Sequence, residues 1–280
     1  MTTTEREVAT PASSKPAAKS KSKKTTTSGA PAWVSVLVIV SLFVLWELIV
    51  KIGGVQPFIL PAPTEIFTEI YDKREALLRN AQPTLVATGV GFGVGVLIGV
   101  VLAMLIAAIP FLKAIIYPVV IASQTTPKIA LAPLFTLWFG IGLLPKVIIV
   151  ALLVFFPVFI NTAAGLESVS KARLDLMKSV NASRWDIYRH IQIPEAIPYF
   201  FAGLRLALTV AFIGVIVGEW IAAGRGLGYL LVLYNSTQDT AALFAVIFVF
   251  VFLATAAFYL LGWLENRFSW QVRIQRAQRS

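Results

Sequence analysis

The chain has 280 residues, of which 58% are hydrophobic and only 14% charged, and its mean hydropathy is +0.80. Soluble domains run nearer half apolar and a quarter charged, so most of this chain must face lipid or other membrane helices. There is no cysteine, which excludes disulfide frameworks, thiolate metal sites and thiol nucleophiles. The net charge of +10 lies almost wholly outside the apolar stretches, which fits membrane orientation and anionic headgroups and argues against nucleic acid.

Residues 1–30 are rich in Thr, Ser, Lys, Pro and Ala and cannot bury enough surface to repay ordering, which predicts a disordered basic tail. No apolar run ends there at a small-residue cleavage site, so the tail does not read as a signal peptide. Six apolar spans follow within a membrane region at 31–268: Trp33–Val50, Leu85–Ile109, Ala114–Phe139, Val147–Ala163, Ile197–Ala223 and Ala241–Leu264. Each approaches the roughly 20 residues that cross a hydrocarbon core. The third carries a polar interruption at Gln124–Lys128 that is able to split it. Residues 269–280 form a basic tail.

With the N-terminus inside, the two sets of connections carry sixteen and six basic residues, the larger set including the tail, Lys113, the 164–196 loop and the C-terminus. That asymmetry predicts both termini in the cytoplasm. Lys146 and Arg225 then fall in external loops. Between the first two spans, residues 56–82 place Ile66, Ile70, Leu77 and Leu78 on one face. They predict an amphipathic surface helix, begun by the Pro61/Pro63 break with Thr64 as cap. In the second span Gly91, Gly95 and Gly99 recur every fourth residue, with Gly89 and Gly93 alongside. That stripe reads first as close helix packing, and otherwise as a dimer face or a conduction path.

The segment 171–194 is amphipathic: Leu174, Met177, Trp185, Ile187, Tyr188 and Ile191 alternate with charges. Asn181 suits the left-handed backbone that separates two short helices, and Ser183 with Asp186 makes an approximate capping box. Pro194 and Pro198 are expected to stop the second helix and start the fifth span. Such a pair suits either a groove on a partner protein or the membrane surface. The one histidine, His190, reads as a solvated or capping residue, and no metal site is expected.

This loop resembles the EAA coupling motif of the permease subunits of ABC importers. Asp175 stands at the Glu position, Asn181 at the Gly position, Ala182 and Ser183 follow, and Ile193-Pro194 close the pattern; Leu176 and Met177 replace the two alanines. ILPAPT at 59–64 resembles the LPxPxx entrance of the same permease family, and QTTPKIALAPLFTLWFGIG at 124–142, FFPVFINTAAGL at 155–166, AGLRLAL at 202–208 and GEW at 218–220 are similar to its subgroup importing nitrate, sulfonate, taurine, bicarbonate or thiamine-precursor substrates. The resemblance implies an all-α, polytopic helical bundle of about six transmembrane helices with the type I ABC importer permease fold, in a bacterial cell membrane.

It further implies two permease copies (a homodimer or a pair), two cytoplasmic ABC ATPase subunits and an extracytoplasmic substrate-binding protein. The coupling residues it implies are Asp175, Asn181, Ala182, Ser183, Arg184, Trp185, Ile187 and Pro194. The chain has no G-x-x-x-x-G-K-[ST] phosphate loop, so ATP hydrolysis is expected on a partner and no cofactor is expected here.

Ionisable groups in a bilayer are expensive and mark function by default. Gln124, Thr125, Thr126 and Lys128, bracketed by Pro127 and Pro133, are candidates for a pathway lining; the other reading is a kink whose lysine is paired. Glu219 beside Trp220 either guards substrate entry or sits at the interface. Glu47 and Lys51 are expected to pair, and Arg205 to snorkel or to bind a coupling-loop carbonyl. The expected solute is a small anion, or else a thiamine-precursor pyrimidine. A secondary transporter, which would need repeated halves and intramembrane carboxylates, is the competing class.

Overall fold

The computed structural model describes residues 32–222 and 224–277, with only the backbone at 32, 35, 110, 222 and 268–277. The expectation of a disordered tail at 1–30 lies outside the described residues. Among the described residues every regular element is helical: α1 (Ala32–Ile52), α2 (Pro63–Asp72), α3 (Arg74–Ala108), α4 (Pro110–Ser123), a 3₁₀ turn (Lys128–Leu131), α5 (Ala132–Phe139), α6 (Leu143–Glu167), α7 (Lys171–Ser179), α8 (Arg184–Ile187), a π turn (Tyr188–Gln192), α9 (Ile193–Ala222), α10 (Leu227–Ser236) and α11 (Thr240–Ala277). Contacts divide the chain after Leu42, and the features below belong to the unit from Phe43 onward.

Among the described residues four helices, α3, α6, α9 and α11, are long and apolar enough to cross a membrane. Their enclosure ranks them. In the most apolar stretch of α6 56% is buried and in that of α9 50%, against 17% for α11, so α6 and α9 are central and α11 is peripheral. Val150, Val154 and Val158 of α6 meet Ala87 of α3 and Ala207, Ala211 and Val215 of α9 in a fully buried seam. β-Branched residues facing alanines and glycines let three backbones approach, which is how helices associate when lipid offers no hydrophobic drive.

The glycine stripe of α3 faces this seam. A Cβ added at Gly91 would lie 2.6 Å from Val150 Cβ, one at Gly95 2.6 Å from the Ala151 carbonyl oxygen, and one at Gly99 3.0 Å from the Phe155 carbonyl oxygen. Gly89 and Gly93 face open space. Close packing inside the chain is therefore what the spacing of four encodes.

Several elements differ from the sequence expectations. The third span is not one helix: α4 ends at Ser123, the chain turns through Gln124–Pro127, and a 3₁₀ turn leads into α5. Pro127 and Pro133 offer no N–H to continue the helix through the break. The surface segment is two helices divided at Lys73, and its cap is not Thr64. Ala62 is the N-cap, its N–H donating to the Glu65 carboxylate at 3.0 Å. Thr64 instead donates its N–H and hydroxyl to Glu47 at 3.1 and 2.8 Å, and Glu47 also pairs with Lys51 at 2.6 Å. Phe43 and Trp46 of α1 stack among Phe67 of α2 and Phe244 and Phe248 of α11.

Between the fifth and sixth spans lies a further short helix, α10, that no separate expectation from sequence covers. The backbone of α11 runs on to Ala277. Arg205 neither snorkels free nor reaches the loop; its guanidinium pairs with Glu265 of α11 at 2.6 Å.

Candidate functional site

The two ends of the bundle are chemically distinct. At one, the loop end, α7 and α8 connect α6 to α9. There α7 closes at Ser179 and the backbone turns at Asn181, which has φ 54° in the left-handed region expected of it. Ser183 caps α8: its hydroxyl accepts the Asp186 N–H at 3.1 Å, while its own N–H donates to the Asp186 carboxylate at 3.2 Å. The Ser183 hydroxyl also donates to the Asp186 carboxylate, and this bond together with that from the Ser183 N–H holds the Asp186 carboxyl below the usual carboxylate range. His190 is exposed, and its Nδ1 lies 3.1 Å from the Asp186 carbonyl oxygen one turn back in the same helix.

The second loop helix is not stopped at Pro194. α8, the π turn and α9 form one continuous helix from Arg184 to Ile221, and the Ile193 N–H donates to the Tyr188 carbonyl five residues back. A proline ring inside an α-helix collides with the carbonyl four residues earlier. The wider π turn just before Pro194 relieves that collision and keeps the rod unbroken.

Tyr188 is buried and donates its hydroxyl to the Met104 carbonyl at 3.3 Å, tying the π turn to α3. Arg173 pairs with Glu195 at 2.9 Å, tying α7 to the start of α9. On the other face the loop is open: Leu176, Val180 and Trp185 are each about two-thirds exposed, with Trp185 stacked on Tyr188. Asp175, Asn181, Ser183 and Arg184 are also exposed, whereas Ala182, Ile187 and Pro194 are half-buried. A fixed helix pair thus presents apolar side chains amid charges, beyond the span ends. Lone exposed apolar residues need no explanation, whereas three stand here on one capped and anchored loop.

The polar break between α4 and α5 forms a second group. Gln124, Thr125 and Thr126 are exposed, and Thr125 donates its hydroxyl to the Ala122 carbonyl at 2.8 Å. Lys128 is half-buried; its ammonium lies 3.3 Å from the Gln124 carbonyl oxygen and 4.1 Å above the Phe156 ring of α6. Among the described residues no carboxylate pairs with it, so its charge is held by a carbonyl and an aromatic face.

At the far end the structure shows a polar knot that spacing did not reveal. Glu219 is 1% exposed and Lys146 4%, so both are enclosed by the bundle, and Lys146 lies in a helix rather than in the external loop expected. Lys146, in the first turn of α6, approaches Glu219 of α9 at 3.4 Å and donates to the Arg225 carbonyl at 2.9 Å. Glu219 accepts the Thr84 hydroxyl of α3 at 2.9 Å and the Gly228 N–H at 2.8 Å, and so stands at the N-terminus of α10, where a carboxylate is favoured. Asn80 accepts the Gly226 N–H at 2.8 Å and Thr84 the Leu227 N–H at 2.9 Å. Gly226 has φ 128°, and a Cβ there would fall 2.1 Å from Glu219 Oε1, so only glycine fits. Nearby, Lys73 between α2 and α3 pairs with Asp239 between α10 and α11.

Among the described residues no cluster of His, Asp and Glu has the makings of a metal site.

Residues 95–270 match the family model described as "Binding-protein-dependent transport system inner membrane component". The chain is 36% identical over 226 residues to the formylaminopyrimidine transport permease protein ThiX of Halalkalibacterium halodurans, covering 80% of this chain and 90% of that one. It is 37% identical over 227 residues to the riboflavin transport system permease protein RibX of Chloroflexus aurantiacus, covering 80% and 85%. Its fold is similar to that of a chain in inward-facing structures of the MetNI methionine ABC transporter, with TM-score 0.59 and 20% identity over 72% of this chain and 98% of that one.

Proposed function

Because the chain belongs to the binding-protein-dependent transport system inner membrane components, the permease family of ABC importers, we propose that it moves a small solute by alternating access, driven by separate ATPase subunits at its loop end. The observation that carries this reading is the anchored loop pair 171–194, which exposes Leu176, Val180 and Trp185 and continues as one helix into the central span α9. A patch of that kind suits a groove on a partner, and the unbroken rod delivers displacement into the bundle. In this role Trp185, Ile187 and Ala182 seat in the ATPase; Ser183 and Asn181 hold the helix angle; Asp175, Arg184 and Pro194 complete the loop. The test is a pull-down of the ATPase by the full chain and by a variant with Ser183, Arg184 and Trp185 replaced by glycine. Loss of association is expected, and retained association refutes the assignment.

The sixteen-to-six asymmetry of basic residues supports a cytoplasmic loop end with both termini inside a bacterial cell membrane. The working complex on this reading has two permease copies, two ATPase subunits and an extracytoplasmic binding protein.

For the solute, Lys128 supports a small anion, since its charge at the polar break has no carboxylate partner among the described residues. A second reading, a planar nitrogen heterocycle such as a thiamine-precursor pyrimidine, is favoured by the 36% and 37% identity to permeases named for formylaminopyrimidine and riboflavin. Stimulation of ATP hydrolysis in the reconstituted complex, by taurine on one hand and formylaminopyrimidine on the other, separates the two.

A further inference from the structure

The central helices α6 and α9 are joined covalently at the loop end by α7 and α8. Between the ends they touch through small residues. A Cβ at Gly165 would lie 2.7 Å from Tyr199 Cβ, one at Gly203 2.9 Å from the Pro157 carbonyl oxygen, and one at Gly214 2.7 Å from Leu153 Cδ1. Glycine contacts of this kind bring backbones together and so resist separation. These three contacts lie along the length of the pair, between Gly165 and Gly214, and do not reach the last turn of α9.

What fixes the axial register at the far end is the ion pair between Lys146 in the first turn of α6 and Glu219 in the last turn of α9. Both side chains are sealed from solvent, at 6% and 0% exposure, so the pair is neither a solute contact nor a surface decoration. It is satisfied on every side, by Thr84 of α3, the Arg225 carbonyl and the Gly228 N–H. The last two hold the α9–α10 connection, and α10 leads to the exposed turn at Asn235–Gln238.

We infer that Lys146 and Glu219 are positioning residues that pin the far ends of α6 and α9, so that displacement entering at the loop reaches the α10 face without loss. The inference rests on the proposed function, since a pin matters only if work enters at the loop. Removing the pin frees the last turn of α9 to shift against the first turn of α6. ATP is then hydrolysed without a matching movement at the far end. The energetic logic is that of a buried pair: losing one partner leaves an uncompensated charge and destabilises strongly, whereas replacing both by neutral groups of similar size retains the fold.

The test uses the full chain assembled with its ATPase and binding protein in proteoliposomes, and reads solute moved per ATP hydrolysed. The neutral double variant Lys146→Met/Glu219→Gln is expected to assemble and to hydrolyse ATP, with solute per ATP reduced about tenfold, within the usual range of coupling free energies. The cysteine-free chain permits a covalent substitute. A Cβ at Gly218 would lie 3.4 Å from Lys146 Cα, close enough for a disulfide. With Lys146→Cys, Gly218→Cys and Glu219→Gln, forming the bridge is expected to restore solute per ATP and reducing it to abolish the gain. A native ratio in the double variant, or a formed bridge that blocks transport, overturns the pin. A native complex without ATP- and binding-protein-dependent uptake would instead refute the proposed function.

Discussion

Replacing Gly95 with alanine adds one methyl group whose nearest neighbours are the Ala151 carbonyl oxygen at 2.6 Å and Val154 Cβ at 2.8 Å. Both distances are below any ordinary carbon contact, and a carbonyl oxygen is backbone that no rotamer change can move. α3 and α6 must therefore separate by a few tenths of an ångström along the seam. Overpacking of this kind costs about 1–3 kcal/mol. The gain in helix propensity from glycine to alanine returns roughly 0.5–1 kcal/mol. The net loss centres on about 1 kcal/mol and reaches about 2.5 kcal/mol, or a fall in Tm of roughly 2–10 °C for a chain of this size.

Gly93, two residues away on the same helix, is the control, because a Cβ there meets nothing within 4 Å. Gly93→Ala is expected to leave Tm unchanged or raise it slightly. Thermal melts of the purified protein in one detergent compare the three chains without assumptions about function. If Gly95→Ala and Gly93→Ala melt together, the claim that the stripe sets the α3–α6 distance is wrong.

Other expectations follow from the loop, the far end and the polar break. Asn181→Val forces a β-branched residue into φ 54° and should weaken ATPase capture through misdirection of α8, while Asn181→Gly should retain it; equal capture by both would show that the turn does not set the helix angle. Burial pulls Asp239 upward, but the hydrogen bonds from Lys73 and the Ala242 N–H outweigh it and hold the carboxyl below its usual range. Lys73 is pulled down by burial and raised above its usual value by the hydrogen bonds to Asp239 and Glu69, the stronger effect in sum. The tie therefore contributes fully between the ordinary carboxylate and lysine ranges, and is lost as pH falls through the depressed carboxyl value or rises through the raised lysine value. For groups this exposed the contribution is under about 1 kcal/mol, so Asp239→Asn should lower Tm by a degree or two at pH 7 and converge with the native chain in acid. Lys128→Ala should slow uptake of an anionic solute without reducing ATPase capture; undiminished uptake would remove Lys128 from the pathway.

Legibility from sequence followed the range of the interaction. The break at Asn181 and the cap at Ser183 depend on residues at most three apart, and local stereochemistry suffices to read them. The glycine stripe was readable because a period of four marks one helix face, although which helix it faced was not. The split of the third span could be read as a weakness at Gln124–Lys128 but not as a 3₁₀ turn, since two prolines permit several exits from a helix. The far-end knot was invisible. Lys146 and Glu219 are 73 residues apart, and hydropathy alone places each near a span end, which is where interfacial residues also fall. α10 escaped because a ten-residue apolar segment is too short to register as a span. Thr64 was misassigned since its cap position looked suitable in isolation, while Glu47 competes for its hydroxyl from another helix.

The π turn at Tyr188–Gln192 has a consequence for how the two ends of the rod are phased. A π turn amounts to one residue in surplus over regular α-helix, and each residue advances the helix by about 100°. The azimuth at which Trp185 meets its surroundings, relative to the face that α9 shows to α6, is thus set by a single residue of chain. Deleting one residue here would leave the spans apolar and the loop sequence whole, yet swing the exposed patch through more than a quarter turn. Two surfaces that never touch each other are kept in rotational step by one residue of backbone.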